Sequence, residues 1–439
     1  MSDRRLEPAD VGARLHGFVA ALYPICRSIT GDGVRATLAA IARRVPALAL
    51  TVHEVPSGAR VFDWTVPPEW NVREAWIANA RGERVVDFTR SNLHLVGYSV
   101  PVHARMTLAE LRPRLHTLPE HPEWIPFRTT YYDEDWGFCL SERQLRTLPD
   151  ETYEVRIDST LAPGSLTYGE AVIPATERDA GEVLLSCHVC HPSLANDNLA
   201  GIAVATELAA RLAARPRRRY AYRFLFIPGT IGSITWLARN EATVARVRHG
   251  LVLTCLGDRG RPTYKRSRRG DAEVDRVATH VLASTGSAHR VVPFEPWGYD
   301  ERQYCSPGFD LAVGSLMRTP YGQFPEYHTS ADDLAFVDPA ALAESLTLAE
   351  GIVEGLEANR VYRRRDPRAE PQLGRRGLWD PVGGRNRTTN DLAMLWVLNL
   401  CDGRHALLDV AERAGLPLAT LAAAAERLVT QGLLDEVGA

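Results

Sequence analysis

The sequence predicts an α/β protein in which helices cover both faces of a mixed or parallel sheet. Between residues 166 and 362, short apolar runs alternate with longer segments whose apolar residues recur at helical spacing. The apolar runs 225–227 and 251–253 contain no polar residue, which is typical of strands that are covered on both faces. A segment rich in β-branched and aromatic residues precedes this region, and three short helical patterns follow it.

Four segments follow from these patterns. Residues 1–47 contain two helical patterns, interrupted near Gly31, that we assign to the main domain. Residues 48–165 form an inserted β-rich subdomain, which would be either a packing layer or a wall over the functional site. Residues 166–362 form the main domain, with strands expected at 181–186, 222–227, 250–256, 290–293 and 312–317 and helices at 199–214, 234–246, 271–284 and 339–358. Residues 363–439 form a basic linker and a helix–helix–helix–strand pattern that resembles a winged helix.

Composition narrows the classes of function. The 439 residues carry a formal net charge of -3, which predicts no attraction to membranes or nucleic acids. The last predicted helix has no basic cluster, so we expect the winged helix to serve for docking rather than for nucleic-acid binding. No signal peptide or membrane span is visible, and the 7 cysteines suit reduced thiols, so we expect a cytoplasmic protein. A homo-oligomer is compatible with the sequence.

The densest group of reactive side chains lies between a predicted strand and a predicted helix. It contains two cysteines, two histidines and one aspartate, which are Cys187, His188, Cys190, His191 and Asp197. In open α/β sheets, ligands bind at the carboxyl ends of strands, where this group falls. Three interpretations compete: covalent haem at Cys-x-x-Cys-His, a cysteine-based zinc or redox site, and a hydrolytic metal site. The chain shows neither an export signal nor a second Cys-x-x-Cys pair, which disfavours the first two.

A hydrolytic metal site needs a further ligand from elsewhere in the chain. A catalytic zinc takes three protein ligands and keeps one position open for water. His188 and Asp197 would supply two of them. His328 lies on a loop after the predicted strand 312–317, at a position that could return to the same sheet edge, and it completes a His, Asp, His set.

Several stretches together carry a family resemblance. The chain resembles the zinc aminopeptidases and glutaminyl cyclases, and it is more closely similar to a bacterial aminopeptidase-like family with an inserted β subdomain and a C-terminal winged helix. The matching stretches are 68–72, 91–94, 132–138, 186–201, 300–308 and 317–328. This resemblance implies a three-layer α/β/α zinc-peptidase-like fold, metal ligands at His188, Asp197 and His328, and a peptide or aminoacyl small molecule as substrate.

The chain departs from the dizinc aminopeptidases after the predicted strand 222–227. Those enzymes carry two consecutive glutamates there, a general base and a metal ligand, whereas this chain has Gly229 and Thr230. We therefore expect one zinc ion, with a second left open. Asp300 and Glu301 are the candidate catalytic carboxylates, although structural ion pairs would explain them equally well. The candidate substrate-binding residues are Arg302, Tyr304, Tyr321 and Glu326, and Cys190 and His191 would help to orient His188.

Three functions remain open on this basis. The first is a zinc-dependent aminopeptidase-like hydrolase that cleaves an amide bond, with the α-amino group of the substrate held by Glu301 or Glu326. The second is a catalytically altered enzyme of a biosynthetic pathway, acting on an aminoacylated molecule. The third is an inactive binding scaffold. Gly229 favours the second and third functions because general base catalysis typically contributes about 10²–10⁴-fold to the rate.

Overall fold

The computed structural model describes residues 8–378 and 389–437. The first seven residues and part of the predicted linker lie outside them. The helices are α1 (Pro8–Leu22), α2 (Asp32–Arg44), α3 (Leu108–Leu111), α4 (Glu142–Arg146), α5 (Gly201–Ala214), α6 (Ile231–Arg239), α7 (Glu241–Val244), α8 (Glu273–Ser284), α9 (Glu301–Tyr304), α10 (Pro339–Ala358), α11 (Thr389–Leu400), α12 (Leu407–Ala414) and α13 (Leu418–Thr430).

The strands are shorter and more numerous than the helices. They are β1 (Thr51–Pro56), β2 (Arg60–Val61), β3 (Trp64–Thr65), β4 (Glu69–Ala78), β5 (Arg84–Asp87), β6 (Val102–Thr107), β7 (Leu115–His116), β8 (Phe138–Cys139), β9 (Thr152–Ala162), β10 (Ser165–Ile173), β11 (Glu182–His188), β12 (Ala221–Ile227), β13 (Val247–Leu253), β14 (Thr263–Lys265), β15 (Arg290–Val292), β16 (Val313–Met317), β17 (Val361–Arg364), β18 (Asp402–Ala406) and β19 (Leu434–Glu436).

The main sheet has eight strands in the order β1-β10-β12-β11-β13-β16-β14-β15. The central strands β12, β11, β13 and β16 run parallel, whereas β10 and β14 pair with them antiparallel. The sequence-based prediction of a mixed sheet is therefore confirmed, and β11, β12, β13, β15 and β16 correspond to the predicted strands. The short antiparallel β14 was not predicted, since three residues are too few to show a period.

Apolar side chains cover both faces of the central strands. In β11, Val183, Leu185 and Cys187 belong to a core cluster shared with α1, α5, α8 and α10. Leu184, which points to the opposite face, belongs to a second cluster that includes residues of α6 and of the inserted subdomain. Because successive residues of a strand face opposite sides, two cores on one strand define three layers. The predicted α/β/α arrangement is thus confirmed.

The inserted subdomain interrupts the main sheet between two of its strands. The edge strand β1 pairs antiparallel with β10, so both belong to the main sheet, although the sequence placed β1 inside the insertion. Only Val55 of β1 is buried, and an edge strand with so little buried surface gives no signal that assigns it to one sheet or another. The intervening residues form a four-stranded sheet in the order β5-β4-β9-β6.

Two helical segments differ from the predicted ones in detail. The predicted helix 234–246 is divided into α6 and α7, because Asn240 has non-helical backbone angles (φ −132°, ψ 31°). The predicted helix 199–214 begins as α5 at Gly201 and follows a short irregular helical turn, Ala195–Ala200. That turn carries Asp197, so the irregular backbone falls at the predicted metal site.

The C-terminal helices form the predicted winged-helix arrangement with an additional sheet. Strands β17, β18 and β19 pair in the order β18-β17-β19, so the unit begins at β17, just before the predicted boundary. Helix α13 packs against α10, and α12 packs against α8. Within the described residues, no helix combines the length and the apolar character that crossing a membrane would require.

Candidate metal centre and adjoining cavity

The predicted metal residues come from the carboxyl end of a central strand and from a distant loop. His188 is the last residue of β11, all of whose residues are buried. Asp197 follows on the irregular turn before α5. His328 lies on a loop that a backbone hydrogen bond ties to the insertion, where the N–H of Phe127 donates to the His328 carbonyl at 2.8 Å. Parallel strands place their carboxyl ends at one edge, which is where these residues meet.

The Asp197 carboxylate is the centre of this group. Its Oδ1 lies 2.8 Å from Nε2 of His188, and its Oδ2 lies 3.0 Å from Nε2 of His328. Nδ1 of His191 lies 3.9 Å from Oδ1, too far for a hydrogen bond, and it is buried with no hydrogen-bond partner among the described residues. His188, His191 and Asp197 each offer a ligand atom, and these atoms lie within 4.8 Å of one another.

The electrostatics of this group favour the protonation states that bind metals. Burial alone would raise the pKa of Asp197, but the hydrogen bonds from His188 and His328 outweigh it and hold this pKa well below its ordinary value. Burial lowers the pKa of His191 to about 3, so its ring is neutral at physiological pH. An ionised carboxylate and neutral imidazoles are the forms in which these side chains bind zinc.

A second aspartate positions the turn that carries Asp197. The Asp332 carboxylate accepts hydrogen bonds from the backbone N–H groups of Asn196 at 2.5 Å and Asp197 at 3.0 Å. Burial raises the pKa of Asp332 well above its ordinary value. Nothing in the sequence assigned Asp332 to this role, because its partners lie more than a hundred positions away.

The structure brings His188, Asp197 and His328 together, as the sequence suggested. It adds His191, for which the sequence predicted only a role in orienting His188. The unpartnered Nδ1 of His191 and the shared carboxylate make a donor set of imidazole nitrogens and carboxylate oxygens, which suits zinc. The spacing of His188 and His191 was the available signal, since both flank the same strand end.

The ring of Tyr299 packs closely against Gly229. A β-carbon added to Gly229 would overlap the Cε1 atom of the Tyr299 ring. The centroid of that ring lies 4.0 Å from the centroid of the His188 ring. The Tyr299 hydroxyl lies 3.3 Å from both the Gly229 carbonyl oxygen and Sγ of Cys190. Tyr299 therefore occupies the space that a side chain at position 229 would enter, and the sequence analysis did not identify it.

The two candidate catalytic carboxylates are buried beside this site, outside the cavity that adjoins it. Oδ1 of Asp300 accepts a hydrogen bond from Ser233 at 2.8 Å, and its Oδ2 has no partner among the described residues. Burial raises the pKa of Asp300 to about 6. Glu301 is fully buried in an ion pair with Lys265 at 2.7 Å. Glu301 thus forms an ion pair, but with Lys265, a partner that the sequence analysis did not name.

The four candidate substrate-binding residues lie in different environments. Arg302 lines the cavity beside the metal residues. Tyr304 is fully buried, and its hydroxyl lies 2.9 Å from Oγ of Ser186 on the central sheet, away from the cavity. Tyr321 packs behind Tyr299, with ring centroids 6.1 Å apart. Glu326 is half-buried on the loop before His328 and does not line the cavity.

A cavity of about 450 Å³ adjoins the metal residues and lies between the main domain and the insertion. It is lined by His191, His328, Gly229, Thr230, Ile231, Ile234, Tyr299 and Arg302 on one side and by Ile29, Trp64, Phe127, Arg128, Thr129, Tyr131 and Tyr132 on the other. The Phe127 ring meets the rings of His191 and His328 edge-on, with centroids 5.3 and 5.2 Å away. The insertion lines this cavity and also packs in the second core cluster, so it combines the two roles considered for it.

Solved structures with the same fold are zinc aminopeptidases and related peptidases. A zinc aminopeptidase from Bacillus subtilis aligns with a TM-score of 0.58 at 12% identity, covering 82% of this chain and 96% of the other. A peptidase M28 precursor from Shewanella amazonensis aligns with a TM-score of 0.54 at 13% identity, covering 79% and 96%. At such low identity these likenesses define the fold, which is that of the zinc aminopeptidases.

Family models and a relative with high sequence identity define the family. The chain belongs to the family described as Domain of unknown function (DUF4910), whose model matches residues 16–359, and a winged helix-turn-helix model matches residues 360–436. A Clostridium acetobutylicum protein, provisionally named a polysaccharide biosynthesis protein with an aminopeptidase-like domain, is 48% identical over 98% of both chains. A crystal structure of a provisionally assigned peptidase from that organism aligns with a TM-score of 0.92 at 47% identity, covering 98% of this chain and 97% of the other. The predicted aminopeptidase-like family with a C-terminal winged helix is thereby confirmed.

Proposed function

We propose that this protein is a zinc-dependent hydrolase that cleaves an amide bond in an aminoacylated or acylated small molecule or a peptide. The observation that carries the proposal is the buried Asp197 carboxylate, which faces His188, His191 and His328 beside a cavity of about 450 Å³. Imidazole nitrogens and carboxylate oxygens are the ligand atoms that zinc takes in proteins. One zinc ion would complete this arrangement.

Some residues of the site would bind the metal, and others would bind the substrate. His188, His191, Asp197 and His328 would surround the ion, and a zinc held by three of them would keep one position open for water. Zinc, when bound, polarises a carbonyl group and makes a water molecule more acidic. The aromatic wall contributed by the insertion would hold the substrate and exclude bulk water from the site.

Amide hydrolysis also requires a proton transfer, which a positioned general base accelerates. Among the described residues that line the cavity, none is an aspartate or a glutamate. Burial raises the pKa of Tyr299 well above its ordinary value, so its hydroxyl stays protonated and can donate a hydrogen bond but cannot accept a proton from water. We therefore expect slow turnover, because a positioned general base typically accelerates such reactions by about 10²–10⁴-fold.

One comparison bears on whether the substrate is a small molecule or a peptide. The C. acetobutylicum relative carries a name that refers to polysaccharide biosynthesis. That name supports the small-molecule form of the proposal, in which the amide belongs to an acylated or aminoacylated sugar or precursor, over the form with a general peptide substrate.

Metal titration tests the proposal directly. The full chain should bind about one zinc ion, measured by elemental analysis and isothermal titration calorimetry. His191→Ala should weaken zinc binding by more than about 100-fold, because loss of a residue that only supports a ligand costs about 10–100-fold. His103→Ala, on an exposed position of the inserted sheet, is the control and should leave zinc affinity unchanged. A wild-type chain that binds no zinc would refute the hydrolase assignment.

Turnover is measured with aminoacyl anilides, dipeptides and N-acylated amino sugars. Hydrolysis should disappear on chelation and return with added zinc. The second candidate function, a binding scaffold, is favoured by Tyr299, which fills the position where a carboxylate would act. A chain that binds zinc and ligands but turns over no amide in this panel would support the scaffold instead.

A further inference from the structure

The cavity carries positive charge that zinc-dependent hydrolysis alone does not explain. Two arginines, Arg128 and Arg302, line it, and no carboxylate does so among the described residues. A substrate of an aminopeptidase presents an α-ammonium group, and a buried ammonium needs an anionic partner. The charge of this cavity is the opposite of what such a group requires.

Arg302 has the properties of an anion-binding residue. It is half-buried, and its Nε is buried without a hydrogen-bond partner in the part of the chain that the structure describes. The carboxylates that precede it are engaged elsewhere, Asp300 with Ser233 and Glu301 with Lys265. A guanidinium group with free N–H donors pairs well with a planar carboxylate or a phosphate, often through two parallel hydrogen bonds.

Arg128 adds a second cation from the opposite wall. It belongs to the insertion, and one of its guanidinium nitrogens donates to Nδ1 of His116 at 3.2 Å. No carboxylate lies within ion-pairing distance of Arg128 among residues 8–378 and 389–437. The two arginines thus approach the cavity from the main domain and from the insertion, and neither forms an ion pair with a carboxylate of the described residues.

The outer part of the cavity offers flat apolar surfaces. Trp64 and Tyr132 are 45% and 49% exposed, and their ring centroids lie 5.5 Å apart. Large aromatic rings left open to solvent beside a polar site are typical of ligand-binding surfaces. A sugar ring or an aromatic ring would cover them.

We propose that the cavity binds a ring-bearing molecule whose anionic group, a carboxylate or a phosphate, pairs with Arg302 and Arg128, and that it discriminates against a free α-ammonium group. This inference rests on the proposed function, since it specifies the substrate class of the same site. The ring would lie against Trp64 and Tyr132, and the anion would face the arginines.

Four matched probes test the charge preference in the full chain as purified. Hippurate (N-benzoylglycine) carries a ring, an amide and a carboxylate, whereas its amide is neutral and L-phenylalaninamide is a cation. Phenyl phosphate replaces the carboxylate by a phosphate and so separates the two anions. Calorimetry should show that at least one anion binds about tenfold or more tightly than the neutral amide, the range expected for hydrogen bonds to charged groups. Tighter or equal binding of L-phenylalaninamide would overturn the proposal.

Variants assign the preference to the arginines. Arg302→Gln should remove most of the difference between hippurate and its amide, and Arg302→Lys should retain part of it. Arg268→Gln is the control, because Arg268 is an exposed arginine paired with Asp310 away from the cavity. An anion preference that survives in Arg302→Gln and in Arg128→Gln, with the thermal stability of both variants unchanged, contradicts the proposal. So does the absence of saturable binding of either anion up to about 10 mM.

Repeating the titrations with chelator separates this inference from the proposed hydrolysis. A charge preference that depends on Arg302 and persists without metal supports the inference even if no amide is turned over. Zinc-dependent turnover that favours substrates with a free α-ammonium group would instead support the proposed hydrolase and contradict the proposal of an anionic substrate.

Discussion

At the scale of single residues, the packing of the Tyr299 ring against Gly229 determines how much room a side chain at position 229 would have. The resemblance to the dizinc aminopeptidases implies a glutamate at the position of Gly229, and the Tyr299 ring lies where a side chain at this position would project. The volume that such a side chain would need is therefore already occupied by the Tyr299 ring. A glutamate introduced at position 229 alone should for this reason not reach the geometry of a general base.

Gly229→Glu should destabilise the fold by about 1–3 kcal/mol, the usual cost of overpacking a filled core. In the double variant with Tyr299→Ala, the new side chain gains room, so the combined loss should be smaller than the sum of the two single losses by at least about 1 kcal/mol. Urea unfolding of the four proteins measures this coupling. Additive losses would show that Tyr299 does not fill the position of a side chain at 229.

The same double variant addresses catalysis. If Gly229→Glu with Tyr299→Ala gains zinc-dependent amide hydrolysis that neither single variant shows, the missing base limits the rate. Thr230 is unchanged in the single and double variants, so it contributes nothing to the difference in activity between them. If Gly229→Glu alone already shows this gain in hydrolysis, the Tyr299 ring moves to admit the new side chain at little energetic cost.

At the scale of elements, an ion pair ties α2 to the junction between the main sheet and the insertion. Arg35 on α2 donates to both carboxylate oxygens of Glu69 on β4, at 2.7 and 2.8 Å, and to Glu54 on β1 at 2.7 Å. Glu69 also accepts the N–H of Ser165 at the start of β10. The carboxylate thus holds together the strands between which the chain leaves the main sheet and returns.

This arrangement makes stability depend on pH. The hydrogen bonds from Arg35 lower the pKa of Glu69 to about 2, so its stabilisation is complete above the ordinary pKa of about 4.3 and is lost as the pH falls towards 2. The stability difference between wild type and Glu69→Gln should therefore shrink from about 1–3 kcal/mol at pH 7 as the pH falls from about 5 to 3. Urea unfolding across this range measures the difference. Glu74→Gln, on the same strand but half-exposed, is the control and should show a small, pH-independent effect.

At the scale of the whole molecule, the winged-helix unit is docked onto the main domain. Arg276 on α8 pairs with Asp409 at 2.7 Å and with Glu412 at 2.5 Å, both on α12. Helix α13 lies against α10, and its residues Leu418, Leu421 and Ala425 are buried. One face of the last helix of this unit is therefore buried, and docking rather than nucleic-acid binding stays a prediction.

Reversing the charge of Arg276 tests the docking. Arg276→Glu should loosen the unit by about 1 kcal/mol, seen as roughly fivefold faster hydrogen exchange in α12 and α13, because a cation between two carboxylates becomes a third anion. Adding Glu412→Arg should restore part of the protection. Arg268→Glu, on the same domain but away from α12, is the matched control. Unchanged exchange in Arg276→Glu would mean that apolar packing alone holds the unit.

Much of the fold follows from local pattern. The alternation of apolar strands and amphipathic helices predicted the central sheet, and the strand–loop–helix around His188 placed Asp197 at a strand end. Such features depend on residues a few positions apart, so the sequence displays them directly. The edge strand β1 and the short β14 escaped prediction because strand length and burial, the signals that would reveal them, are weak there.

What the sequence by itself determined was the class of fold, the winged-helix end and the grouping of histidines with one aspartate. Only the tertiary structure decided that Tyr299 fills the space at Gly229, that Lys265 pairs with Glu301, and that the insertion walls a cavity bearing two arginines and no carboxylate among the described residues. These are contacts between residues far apart along the chain. No local period encodes such contacts, since they arise only when separately specified elements pack together.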